Sequence, residues 1–445
     1  MKKFLIGTIF ILMLSMLGCG NKKAKVYLYN FKPEANDAFK QIASIYQRDT
    51  GVMVKVNTSA SGQYESSLRT EIVKSDAPTI FYLNGYVGLS NWKDYAYDLS
   101  GTNAYQSLTQ VGKDLSLKEE SKVYGIPISV EGYGLIYNKE ILDAYFTLTD
   151  RESSLNNIEE VKSFSEFNII VNDLQKYIEG TKATSNYLIN NLKGVFATCL
   201  KIGSQWPYQS HLSNIPIFYE FLEKNENTIA YGLAAKEVEF KYFDNYMNML
   251  DLYLNNSVTK KENLNETDYD TAVIQFARGE AAFIQQGNWA YSNILNSNMI
   301  KEENLGLMPI FMGNREENKY SIPVGTESYW CINKNASSEE INASIEFINW
   351  LFTTEEGIKL VNENLGFLAP FEGFKNVAPK DALSKAVHKY MNNTDLKTIE
   401  WTFQSYPSDT FKDLFGAGIV EYAKGIITKD ELKNIFVSKW KSEKK

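Results

Sequence analysis

From residue 26 onward the chain alternates between two rhythms of apolar residues. VYLYNF (26–31) is an unbroken run of strand length. From Pro33, the residues Ala35, Phe39, Ile42, Ala43 and Tyr46 recur at helical spacing until Gly51 stops the pattern. Val52, Val54 and Val56 then alternate as a strand does. GQYESSLRTEIV (62–73) returns to the helical rhythm, and APTIFYL (77–83) reads as a strand opened by Pro78. Strands alternating with helices predict an α/β layered fold with a largely parallel sheet.

The same rhythms continue further on. YGIPISVEGYGLIYNKEIL (124–142) is rich in strand signals, whereas residues 150–195 are polar and helical. ETDYDTAVIQFARG (266–279) predicts a helix capped by Asp268 and closed by Gly279, followed by a strand, AAFIQQ. There Gly287 and Asn288 make a tight turn and Trp289 opens a helix. KYSIPVGTESYWCINKNA (319–336) reads as strand, turn, strand. Ser337 and Glu340 fit a capping box. A further helix starts at Thr354, Glu355 and Glu356, and the chain from Ser408 is amphipathic helix with a Lys-rich end. No internal repeat or low-complexity block interrupts the series.

In open α/β sheets, ligands lie beyond the carboxyl ends of the strands. That rule marks Asn30, Phe31 and Lys32 after the first strand, and Asn84, Gly85 and Tyr86 after IFYL. Each also fits an ordinary turn. Trp289 offers a flat apolar face at a helix start beside Asn288, Gln285 and Gln286, which suits the flat face and hydroxyl edge of a sugar. By spacing alone a core position suits Trp289 equally well.

The 445 residues, 44% hydrophobic, suffice for two domains. A formal net charge of −8 gives no basic surface for a nucleic acid. The N-terminus changes the picture most. Lys2 and Lys3 precede an apolar run from Phe4 to Leu17, then Gly18 and Cys19, which together read as a secretory signal too short for an ordinary spanning helix. The stretch resembles the lipobox of bacterial lipoproteins, although Met16 and Leu17 stand where Leu and a small residue are commoner. The resemblance implies cleavage before Cys19, lipidation of Cys19 (palmitate-type acyl chains), and a short polar tether outside the cytoplasmic membrane. Cys199 and Cys331, the other two cysteines, lie in apolar contexts that favour buried free thiols over a disulfide.

Catalytic chemistry finds little material. His211 and His388 are the two histidines, and no H-E-x-x-H, C-x-x-C, G-x-S-x-G or P-loop pattern occurs. No cluster of His, Cys and carboxylates suggests a metal, and no cofactor is expected. A glycosidase would need a second carboxylate opposite Glu131, and none is evident. The expectation is a binding protein and not an enzyme.

Four segments taken in order resemble one family. FARGEAAFIQQGNWA (276–290) resembles the F-x-x-G-x-A-A-(M/F)-x-x-x-G-x-W segment of the extracellular solute-binding proteins (family 1) of ABC sugar importers, the maltose- and raffinose-type binding lipoproteins. YGIPISVEGYGLIYNKEIL, APTIFYLNG, and the run from Ile322 through Trp350 to Gly357 resemble other parts of the same family, in the same order. The resemblance implies a two-lobed, periplasmic-binding-protein-like fold of type II, with the ligand in the interlobe cleft and hinge crossovers near 130–134, 307–311 and 350–366. The lobes would be 26–131 plus 310–350 and 132–309 plus 351–445, after a leader at 1–18 and a tether at 19–25. It maps sugar stacking onto Trp289, hydroxyl contacts onto Glu131, and aromatic contacts onto Tyr82, Trp206 and Tyr208. Asn84 replaces the acidic residue common in relatives, so ligand identity does not transfer. Tyr64, Glu327 and Trp401 are further candidates. The implied function is capture of a carbohydrate, expected to be an oligosaccharide, by a lipid-anchored monomer on the outer face of a Gram-positive membrane or on the periplasmic side. The implied partners are the permease subunits of an ABC transporter. A polyamine or peptide on the same scaffold, and a surface glycoside hydrolase, are the alternatives.

Overall fold

The computed structural model describes residues 25–60 and 62–444. The expected leader, Cys19 and the tether up to residue 24 lie outside them. The strands are β1 (Val26–Asn30), β2 (Val54–Thr58), β3 (Ile80–Leu83), β4 (Leu117–Glu119), β5 (Lys122–Pro127), β6 (Glu131–Asn138), β7 (Phe283–Gly287), β8 (Leu305–Met308), β9 (Tyr320–Gly325), β10 (Tyr329–Ile332) and β11 (Lys397–Glu400).

Among the described residues they form two sheets, one in the order β2-β1-β3-β10-β5-β4, the other β11-β9-β6-β7 with β8 also on β6. In the first sheet β1 pairs in parallel with β2 and β3, through the helical crossovers that the sequence rhythm predicts. The expectation of a largely parallel sheet is nevertheless corrected. β10 runs antiparallel between β3 and β5, and β6 is antiparallel to β7, β8 and β9. β10 follows β9 through a short turn, whereas β7 follows β6 only after the helices between Lys139 and Ala277, so a helical connection here does not impose parallel pairing.

Local chemistry explains the element ends. The Asn36–Thr50 helix buries Phe39, Ile42, Ala43 and Tyr46, and stops where Gly51 takes a φ of 74°. Asp268 caps the Tyr269–Ala277 helix by accepting from the Thr271 amide, and Ser337 with Glu340 forms the expected capping box.

Apolar side chains collect into two clusters. The first takes residues from Val26 to Ile128 and again from Tyr329 to Phe371. The second takes residues from Tyr133 to Ile322 and from Leu383 to Trp440. The chain thus passes between the clusters near Glu131, where a crossing is expected, near Gly325–Ser328, and between Phe374 and Ala382. The last two crossings correct the expected boundaries. Ile310, Phe311 and Ile322 pack in the second cluster, while Leu351, Phe352 and Val361 pack in the first. Helical or strand periodicity shows that a face is buried, not which of two cores buries it. Cys199 and Cys331 lie in different clusters and are free thiols. Burial pushes the Cys199 thiol up to about 12 and the Cys331 thiol up as well, so both are inert at neutral pH.

The two units touch at several points. Gln404, beside second-cluster Phe403, donates to the Thr326 carbonyl at 2.7 Å and accepts from the Tyr329 hydroxyl at 3.1 Å. A Cβ added to Gly62 would stand 3.4 Å from the Gly203 carbonyl, which brings the rims of the units together.

Candidate functional site

The second unit contributes an aromatic nest. Pro216 has no N–H to give to the carbonyl four residues back, and the turn before it, Pro207–Leu212, widens into a π-helix that runs into the Ser213–Leu222 helix. Trp206 stands at the start of this widened turn and His211 within it. Trp206 and Trp289 pack at 6.0 Å between ring centroids, and both are partly exposed. His211 is buried beneath them, stacked on Tyr133 at 4.4 Å and 15°, with Phe403 at 5.0 Å and Trp401 at 5.7 Å. Burial, aided by the Lys412 ammonium, pulls the His211 imidazole down to about 3, so it is neutral packing at physiological pH.

Trp289 is held in place. Its indole N–H donates to Gln286 Oε1 at 3.1 Å. Gly287 is extended, with φ −112° and ψ −174°, so a tight turn is not what requires glycine there. A Cβ on Gly287 would come within 2.2 Å of the Trp289 ring and 2.6 Å of the Gly132 carbonyl. The glycine allows the indole to lie against its own strand. Asn288 is buried and bonded: its side-chain oxygen accepts from the Gly132 amide at 3.1 Å, and its nitrogen donates to Ser384 Oγ at 3.2 Å.

In the first unit the loops after β1 and β3 lie side by side. Asn30 is fully buried and closes its own loop, accepting from the Lys32 amide and donating to the Lys32 carbonyl and Thr58. Phe31 is partly exposed and packs on Tyr64 at 5.3 Å and Tyr82 at 5.8 Å. The Tyr64 hydroxyl accepts from the Tyr82 amide at 2.7 Å and lies 3.2 Å from the Tyr82 carbonyl, to which it donates. Tyr64 and Tyr82 are thus a buried support for Phe31. Asn84 is partly exposed, and its buried Oδ1 has no hydrogen-bond partner among the described residues.

Charged groups occupy the seam. Lys32 Nζ lies 2.6 Å from Glu131 Oε1 and 3.7 Å from Glu34 Oε1, with Lys32 and Glu131 both buried. Burial works to lower the Lys32 ammonium, but Glu131 and Glu34 hold it above its ordinary value. Glu327, partly exposed in the turn between β9 and β10, is pushed up to about 7 by burial, with Lys412 opposing and Asp409 and Glu131 adding to the rise.

The expected residues therefore separate. Trp206, Trp289, Phe31, Asn84 and Glu327 keep solvent-facing surface. Glu131 lies at the seam in an ion pair. Trp401 is buried, its ring within 2.5 Å of where a Gly325 Cβ would stand. Tyr208 is in the core of the second unit against Tyr253 at 5.5 Å, with no face left for a ligand. The structure adds Tyr133, Tyr269 and Lys412, and it puts the loop residue Lys32 in the ion pair with Glu131. Tyr269, the first residue of its helix, is partly exposed and packs on Trp206 at 5.9 Å. Its signal was an aromatic directly after a helix cap. Surface cavities of ≈ 630 and ≈ 580 Å³ open elsewhere on the second unit, one beside Tyr187 and Met299, the other beside Asn172 and Asn248.

The bacterial extracellular solute-binding protein family matches residues 41–392. The melibiose/raffinose/stachyose-binding protein MelE of Bacillus subtilis (strain 168) is 25% identical over 151 residues, which span 31% of this chain and 35% of the relative. The solved structure of RafE in complex with raffinose aligns over 94% of this chain and 99% of its own, with a TM-score of 0.68 and 17% identity. A sugar transporter protein from Bacillus licheniformis in complex with stachyose aligns over 94% and 100%, with a TM-score of 0.65 and 15% identity. At those identities the structures establish a shared fold, that of two-lobed solute-binding proteins. The chain belongs to the bacterial extracellular solute-binding protein family.

Proposed function

We propose that this solute-binding family member captures an oligosaccharide between its two units and delivers it to the permease of an ABC importer. The observation that carries the reading is the pair Trp206 and Trp289, partly exposed and 6.0 Å apart, backed by Tyr269 and set against the first crossing, where Gly132 donates to Asn288 beside Glu131. Flat indole faces take the C–H faces of sugar rings, and convergent polar groups take the hydroxyls. The similar proteins bind or are named for raffinose, stachyose and melibiose, which supports the same ligand class here.

The mechanism is capture and not catalysis. Ligand contacts made from both units favour the closed arrangement over the open one, by as much as the ligand prefers it. Lipidation at Cys19 holds the protein at the outer face of the membrane, beside the permease.

Calorimetry on the chain from Gly20 onward, against oligosaccharides, monosaccharides, short peptides and polyamines, tests the reading. Binding of an oligosaccharide without product formation supports it. Tight binding of a polyamine or peptide instead replaces the cargo, and turnover of a sugar replaces capture with hydrolysis.

A further inference from the structure

Two buried lysines differ in how they are satisfied. Lys32 is held by Glu131 at 2.6 Å with Glu34 at 3.7 Å. Lys412, only 7% exposed, makes one hydrogen bond among the described residues, to Asp409 at 3.5 Å. An ammonium carries three donors. Burying one with a single long contact is costly unless something else completes its shell.

What surrounds Lys412 points to a ligand. Lys412 lies on the Asp409–Ala423 helix, and Gly416, one turn on along the same face, packs against the π-helical turn that carries the aromatic nest. There the Gln209 side chain, 7% exposed, has a buried Oε1 without a partner, 1.9 Å from where a Gly416 Cβ would stand. Lys412 therefore lies one helical turn from the widened turn that carries Trp206 and His211.

We propose that Lys412 is a ligand-binding residue, its ammonium donating to adjacent hydroxyls of a neutral sugar unit while Gln209 Oε1 accepts from them. This rests on the oligosaccharide reading above. The charge balance selects the class. Asp409, paired with Lys412, and Asp413 flank it on the same helix, so an acidic sugar meets these carboxylates and a cationic group meets Lys412. Neighbouring hydroxyls, which donate and accept at once, satisfy both kinds of orphan.

The test is calorimetry of the full chain in detergent with raffinose, stachyose, maltotriose, chitotriose and trigalacturonate. For wild type we expect binding of a neutral sugar and none tighter for trigalacturonate. For Lys412→Met, with an unchanged circular dichroism spectrum, we expect at least tenfold weaker binding. Wild-type affinity in folded K412M, or a wild-type preference for trigalacturonate, overturns the inference. Should K412M not fold, Gln209→Leu decides: a tenfold loss supports the proposal and no loss overturns it. A wild-type chain that binds none of these sugars sinks the oligosaccharide reading itself, an outcome distinct from a sugar-binding chain indifferent to K412M.

Discussion

Lys32 Nζ and Glu131 Oε1 meet at 2.6 Å with both side chains buried, joining the loop after β1 to the strand that begins the second unit. Removing Lys32 leaves Glu131 buried without its partner, which costs ~3–5 kcal/mol. Removing Glu131 leaves Lys32 with Glu34 at 3.7 Å, so urea melts should show a larger loss for Lys32→Met than for Glu131→Gln. The double variant should lose less than the sum of the two, because the pair shares one interaction. Additive losses would show that the pair does not hold the units together.

Trp289→Ala should weaken binding of the cognate sugar by more than ~1 kcal/mol, in the range of an aromatic contact, while the protein stays folded. Trp206→Ala should behave alike. An unchanged Kd in a folded Trp289 variant would return that ring to a packing role.

Tyr208→Ala should do the reverse. Its ring is 2% exposed against Tyr253, so truncation should cost ~3–5 kcal/mol of stability. Calorimetry on the folded fraction should find the sugar affinity unchanged. A large change in Kd with little loss of stability would place Tyr208 at the ligand after all.

Gly287→Ala sets a methyl within 2.2 Å of the Trp289 ring. Overpacking of this kind costs ~1–3 kcal/mol, and the indole must shift. Lower melting temperature together with weaker sugar binding is the expected outcome. A variant that melts and binds as wild type would mean that the strand yields without disturbing the indole.

Acid sensitivity should come chiefly from His211. Its imidazole, held down to about 3 by burial with Lys412 adding to the effect, takes up a proton in the unfolded chain well before it does in the folded one. Its contribution is therefore full above pH ~6.5 and lost as the pH falls toward 3. Glu327 has the opposite sign: burial raises it to about 7, so its contribution is full below pH ~4.5 and lost as the pH rises through 7. Its size is on the order of 2 kcal/mol after allowance for its partial exposure. Urea melts at pH 4.5 and 7 should show His211→Phe losing less stability in acid than wild type. Glu327→Gln should make stability rise more steeply between pH 5 and 7, because it removes the contribution that opposes His211 there. Parallel pH profiles for all three proteins would refute both assignments.

Much of the architecture was legible in local pattern. The apolar spacing before Gly51, the cap at Asp268 and the box at Ser337 each depend on residues within one turn of one another, so the sequence alone determines them. Trp289 was marked by a resemblance and not by spacing, and the extended Gly287 that leaves room for its indole was read as a tight turn. The place of β10 was not, since a strand between β3 and β5 is a matter of pairing over 200 residues and more. Nor was the difference between Trp206 and Tyr208. They stand two positions apart, but the widened turn that Pro216 follows sends one ring to the seam and the other to the core. Lys32 was marked by its place after a strand, but its pairing was not legible because the partner lies 99 residues away.

The position of β10 also governs the order in which the chain can fold. The first sheet needs Tyr329–Ile332 as its inner strand, so β3 and β5 keep open edges while the ribosome makes the intervening two hundred or so residues. The second cluster waits longer, for the helices up to Trp440. Neither unit is complete as a nascent fragment. The polypeptide reaches its native state only after nearly all of it has been synthesised, and until then it is a client for whatever keeps unpaired strands apart.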